Sequence, residues 1–173
     1  YALAIENKPA KVIVTDIDDA KLARANEVIS VEEAKEKGVE LIYVNTAKMD
    51  DPVDGLKALS VDGKGFDDVF IFAPNEEMVT YGVKMLAFDG CLNFFSGPAD
   101  QEFSSRVNFY NIHYNSTHFV GTSGGNTEDM KQSIELIENK TVNVAKIATH
   151  ILGLDHAVET TKALPELEGS KKI

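Results

Sequence analysis

The chain has 173 residues, a formal net charge of -11 at pH 7, 43% hydrophobic residues and 26% charged residues. That length and apolar content suit one globular unit with a sizeable core and exclude a disordered or fibrous chain. The acidic balance, without any Lys/Arg-rich run, speaks against nucleic acid or an anionic membrane as the main partner.

No apolar stretch approaches the roughly 18–20 residues that span a bilayer, and no signal peptide is visible, so the expected location is the cytoplasm. The single cysteine, Cys91, allows no intrachain disulfide and is expected to be a buried, reduced thiol.

Tyr1–Asn7 reads as the end of a helix closed by Asn7 and Pro9. Lys11–Ile17 is a β-branched, apolar run ending near an acid, expected to be a strand buried on both faces. A charged amphipathic helix follows from Asp19 to about Val28, with Leu22, Ala25 and Ile29 on one face and Asp18 or Asp19 as its cap. Val31–Lys37 is a short helical turn ended by Gly38, and Val39–Asn45 is the next strand. Asp50–Leu59 has an acidic, proline-bearing first turn and reads as a helix.

Asp68–Ala73 is an apolar strand broken by Pro74 and Asn75. Glu76–Ala87 is a helix with Met78, Tyr81, Met85 and Leu86 inward, and Gly90 closes the link to a strand at Cys91–Ser96. Ala99–Ser116 has no clear period. Thr117–Gly121 is a short strand, and Asn126 or Thr127 caps a helix to about Glu138 whose apolar face is Met130, Ile134 and Ile137. Val142–Leu152 is ambiguous between strand and helix, Leu154–Leu164 reads as helix, and Lys171–Ile173 resembles the start of a strand.

Strands alternating with helices through short connections predict a parallel sheet with right-handed crossovers. The expected class is α/β: a Rossmann-like, doubly wound sheet with helices on both faces, lacking the first strand and its glycine turn. The expected division is residues 1–122 as the dinucleotide-binding unit and 123–173 as a C-terminal helical segment.

Asp16 is the sharpest chemical candidate. An acid at the carboxyl end of a parallel strand faces the ligand crevice and can accept both ribose hydroxyls of a dinucleotide. Its charge would repel a 2′-phosphate, which favours NAD over NADP. Lys21, on the first turn of the next helix, could reach the same ribose; a solvated surface lysine is the plain alternative. Ala73-Pro74 and Ser96-Gly97 follow strand ends at the same edge, where small residues let a cofactor ring approach the backbone.

His113, His118, His150 and His156 lack the i, i+4 spacing of a helical metal site, and no protein metal site is expected. Ser123–Asn126 could cradle an anion, although a plain turn into a helix explains it as well. No G-x-G-x-x-G turn occurs; if Tyr1–Glu6 ends the first helix, that turn would lie upstream.

The segments VIVTDIDDAKLARA, DVFIFAPN, NFFSGP and HFVGTSGGNTEDMKQSIELI, with the tail ATHILGLDHAVETTKALPELEGSKKI, resemble the cofactor domain of zinc-type medium-chain alcohol and polyol dehydrogenases. The likeness is to the sorbitol dehydrogenase and L-sorbose-1-phosphate reductase branch and runs over essentially the whole chain. It implies that Asp16 binds the adenosine ribose, that Lys21 helps hold it, and that Ala73, Pro74, Ser96, Gly97, Gly121 and Thr122 line the nicotinamide half.

It further implies a polyol or sugar-phosphate substrate, zinc held only in a catalytic portion outside this chain, no catalytic residue within it, and a homodimer or homotetramer formed through Thr117–Gly121. Two other classes share parts of the pattern. An S-adenosylmethionine-dependent methyltransferase also places an acid after its second strand, and a receiver-like signalling module also uses strand-end acids.

Overall fold

The computed structural model describes residues 2–166. Five strands and seven α-helices occur among them: β1 (Lys11–Asp16), α1 (Asp19–Val28), α2 (Val31–Glu36), β2 (Glu40–Asn45), α3 (Pro52–Leu59), β3 (Phe66–Ile71), α4 (Glu76–Met85), β4 (Leu86–Phe94), α5 (Phe109–Asn115), β5 (His118–Gly121), α6 (Thr127–Glu138) and α7 (Ala157–Ala163). All strand pairings are parallel, in the orders β1-β2 and β3-β4-β5. The α/β class with parallel pairing is therefore present, but as two sheets rather than one. Among the described residues, β1 pairs only with β2, and β3 only with β4.

Local chemistry explains the helix starts. Asp18 caps α1, Ser30 caps α2, Asp51 caps α3 ahead of Pro52, and Asn75 caps α4, each accepting backbone N–H groups of the first turn. α3 packs on α4, and Lys11 Nζ donates to Leu59 O at 2.7 Å, tying the start of β1 to the end of α3. Ser60 is buried but satisfied: its hydroxyl donates to Lys57 O at 2.7 Å and accepts from Gly65 N at 2.9 Å.

The main core lies between α4 and one face of the three-stranded sheet. Ile71, Val79, Val83, Leu86 and Leu92 are buried there, with Val69, Met78, Phe94 and Phe103 packed around them. Each such side chain contributes roughly 1.5–3 kcal/mol on burial. The opposite face carries Phe70, Phe72, Phe95 and Val120, all exposed, with Phe72 ring-to-ring with both Phe70 and Phe95.

Several expectations are corrected. Residues 2–7 form a turn and bends, not a helix end; Tyr1 and Lys171–Ile173 lie outside the described residues. β1 is only half-buried, because one strand rather than two flanks it. Of the residues expected inward on α4, Met78 and Leu86 do pack in the core, although Leu86 already belongs to β4; the buried positions of the helix itself are Val79, Gly82 and Val83. Gly90 does not end a link: β4 runs through it across an irregularity, with Phe66 opposite Leu86 and Asp68 opposite Cys91. A positive φ at Asp89 (61°) accommodates the extra residues.

The unperiodic stretch contains α5. Val142–Leu152 holds only a 3-10 turn at Val144–Lys146, and the last helix is split into a 3-10 turn (Leu154–His156), α7 and another 3-10 turn (Leu164–Glu166). The apolar face of α6, Met130, Ile134 and Ile137, is exposed. Cys91 is a free thiol, half-buried rather than buried.

Candidate functional site: the carboxyl edges of the parallel strands

Asp16 is the last residue of β1, aligned with Asn45 at the end of β2. Its Oδ1 accepts the backbone N–H of Asp18 at 3.0 Å, closing the turn that leads into α1. Its Oδ2 stands 3.9 Å from Lys21 Nζ, and the side chain is 32% exposed. One carboxylate oxygen is thus fixed by backbone, and the other faces a cation and solvent. That leaves acceptor capacity for hydroxyl donors at a strand end.

Asp19 is the better-connected acid. It accepts from Asn45 Nδ2 at 2.7 Å and pairs with Lys48 Nζ at 2.7 Å. Hydrogen bonds from Lys48 and Asn45 hold its carboxyl below the usual range. The sequence marks Asp19 only as a candidate cap of α1; the one signal for its partners is the position of Asn45 at the end of an apolar strand. A shallow surface groove beside β2, lined by Leu22, Asn26, Val31, Tyr43 and Lys48, includes neither Asp16 nor Lys21.

The second group lies along the carboxyl edge of the other sheet, where Ile71, Phe94 and Gly121 are aligned. Ala73 and Pro74 follow β3 and are exposed. Asn75 N donates back to Ala73 O at 2.8 Å, while the Asn75 side chain caps α4. Ser96 and Gly97 follow β4. Ser96 Oγ is buried without a hydrogen-bond partner, and nothing lies within 4 Å of a Cβ built at Gly97. Gly121 ends β5 and Thr122 is exposed beyond it. The structure therefore pairs Asp16 with Lys21 and sets the other six residues along one edge. Among the described residues, no hydrogen bond or ion pair joins the two groups.

The remaining candidates carry less. Asn126 and Asp129 form a reciprocal capping box at the start of α6, which uses the Ser123–Asn126 turn for helix initiation. His113 stacks edge-on against Tyr114 on the surface, and His118 pairs with Asp89 at 2.9 Å. Among the described residues, no group of three or more His, Cys, Asp or Glu could hold a metal ion. The residues present do not fit a zinc centre.

The zinc-binding dehydrogenase family profile matches residues 2–139. The chain is 47% identical over 173 residues to mannitol-1-phosphate 5-dehydrogenase of Aliivibrio fischeri, covering all of this chain and 41% of that protein. It is 46% identical over 173 residues to L-sorbose 1-phosphate reductase of Klebsiella pneumoniae, covering all of this chain and 40% of that protein. The chain thus spans about two-fifths of the length of these curated relatives.

A short chain alcohol dehydrogenase of Escherichia coli CFT073, solved with NADH, superposes with a TM-score of 0.65 at 17% identity, over 95% of this chain and 43% of that one. That likeness is one of fold. On the profile match and the two sequence relatives, the chain belongs to the zinc-binding dehydrogenase family.

Proposed function

We propose that this chain is the dinucleotide-binding part of an oxidoreductase that moves hydride between NAD and a polyol or sugar phosphate. The observation that carries the reading is Asp16: a partly exposed carboxylate at the carboxyl end of a parallel strand, with one oxygen fixed by the turn and Lys21 beside the other. Asp16 would accept the adenosine ribose hydroxyls and Lys21 would approach the same ribose. Ala73, Pro74, Ser96, Gly97, Gly121 and Thr122 would border the nicotinamide half. When bound, the nicotinamide supplies the hydride donor or acceptor. The charge of Asp16 disfavours a 2′-phosphate, hence NAD over NADP.

Residues 1–122 would serve the cofactor and 123–173 would lead away from it. The names of the relatives support a phosphorylated sugar or polyol as substrate. The zinc expected of this family has no ligand set among the described residues, so no step through a metal is assigned to this chain. β5 pairs only with β4 among the described residues, and all four of its residues are exposed; that open strand supports self-association as a homodimer or homotetramer. Among the described residues no helix is long and apolar enough to cross a membrane.

Titration of the intact protein with NADH and, separately, with S-adenosylmethionine tests the reading. NADH should bind with a blue-shifted, enhanced nicotinamide fluorescence and S-adenosylmethionine should not. Binding of the latter alone would refute the dinucleotide reading.

A further inference from the structure

We infer that Asp19, held by Asn45 and Lys48, is a positioning residue that fixes the ribose-binding acid Asp16; this rests on the dinucleotide reading above. The turn carrying Asp16 is short and exposed: Ile17, in its middle, is 70% exposed. Within it the stabilising bonds are local, from Asp18 N to Asp16 Oδ1 at 3.0 Å and from Ala20 N to Asp18 Oδ1 at 2.8 Å. Neither ties the turn to the rest of the fold.

Asp19 supplies that tie. Its carboxylate receives Asn45 Nδ2 at 2.7 Å and Lys48 Nζ at 2.9 Å on Oδ1, and Lys48 Nζ also lies 2.7 Å from Oδ2. Both donors come from the end of β2 and the 3-10 turn at Thr46–Lys48 that follows it.

Asn45 cannot swing away cheaply. Its Oδ1 already accepts Ala47 N at 2.9 Å, so the amide is used at both ends. Its backbone is also the register partner of Asp16. The turn is therefore held on one side by the β1-β2 ladder and on the other by a three-residue clamp. Asp19 and Lys48 are exposed, so as a plain surface ion pair they contribute little to global stability. Their effect lies in geometry: a binding group acts at full strength only when its supporting contacts hold it to a fraction of an ångström. Lys48 also neutralises a second carboxylate next to the first.

Equilibrium binding of NADH and NADPH to the intact protein, read by fluorescence without any turnover, tests the clamp. Asp19→Ala should raise the Kd for NADH about three- to tenfold, as part of a charge-assisted hydrogen bond is lost. It should change the Kd for NADPH less, because a displaced Asp16 also repels the 2′-phosphate less. Asp19→Asn keeps an acceptor for Asn45 and should stay within about twofold of the parent, and Lys48→Arg should bind like the parent. An NADH affinity unchanged by Asp19→Ala, or a loss of equal size for both cofactors, would overturn the clamp. Asp16→Ala separates the two levels: if it weakens NADH while Asp19→Ala does not, only the clamp fails; if it has no effect, the dinucleotide reading fails as well.

Discussion

Replacing Gly82 with alanine sets two opposed effects against each other on the inward face of α4. Helix propensity favours alanine by about 1 kcal/mol, because glycine loses more backbone freedom on folding. Packing opposes it. A Cβ built at Gly82 would lie 2.8 Å from Leu92 Cδ1, 3.1 Å from Ile71 Cδ1 and 3.3 Å from Val69 Cγ1. Three neighbours crowd one methyl at once, and Leu92 is only 1% exposed, so it has nowhere to turn. Overfilling such a core costs about 1–3 kcal/mol.

The crowding outweighs propensity, and the net loss should be about 1 kcal/mol. In a chain of this size that lowers Tm by roughly 2–4 °C. Thermal or urea unfolding of the intact protein, wild type against Gly82→Ala, measures it. A gain of about 1 kcal/mol, the value for an exposed helical glycine, would refute the close packing of α4 on β3 and β4.

Two further substitutions probe other joints of the fold. Gly65 has φ +105°, and a Cβ there would sit 2.5 Å from Met85 O and 3.0 Å from Ala87 N, both rigid backbone; Gly65→Ala should cost about 3 kcal/mol in the same unfolding assay. The Tyr43 hydroxyl lies 2.8 Å from Ile29 O and 3.1 Å from Ala25 O, binding β2 to the end of α1. Tyr43→Phe should cost about 1 kcal/mol. Burial raises the pKa of Tyr43 above 10.0. The native state therefore holds this proton more tightly than the unfolded state, and the contribution is complete below pH 10 and lost as pH rises beyond it. Stability should fall more steeply with alkaline pH in the parent than in Tyr43→Phe.

The local features of the fold were readable where side-chain pattern and capping agreed. The β1–α1 unit, the acidic and proline-bearing start of α3, the Asn75 cap after β3 and the Asn126 cap of α6 all follow from short-range chemistry. What depends on distant partners was not readable. Apolar patterning makes Val12–Val14 a run buried on both faces and Met130, Ile134 and Ile137 an apolar face, yet pattern records only that a face is apolar, not what lies against it. The irregular pairing before Cys91 was hidden because it is set by β3, whose ladder resumes only at Asp68. In the site, Asp16 and Lys21 are near in sequence and their pairing could be anticipated. The bonds from Asn45 and Lys48 to Asp19 cross between elements, and no local spacing announces them.

The central claim, that Asp16 is the ribose-binding acid of a dinucleotide site, is tested most directly by calorimetric titration of NADH into the intact protein and its Asp16→Ala variant. Loss of hydrogen bonds to a charged acceptor should weaken binding by about 1–3 kcal/mol, roughly five- to 150-fold in Kd, with the unfolding temperature nearly unchanged. Equal NADH affinity in the two proteins would contradict the account.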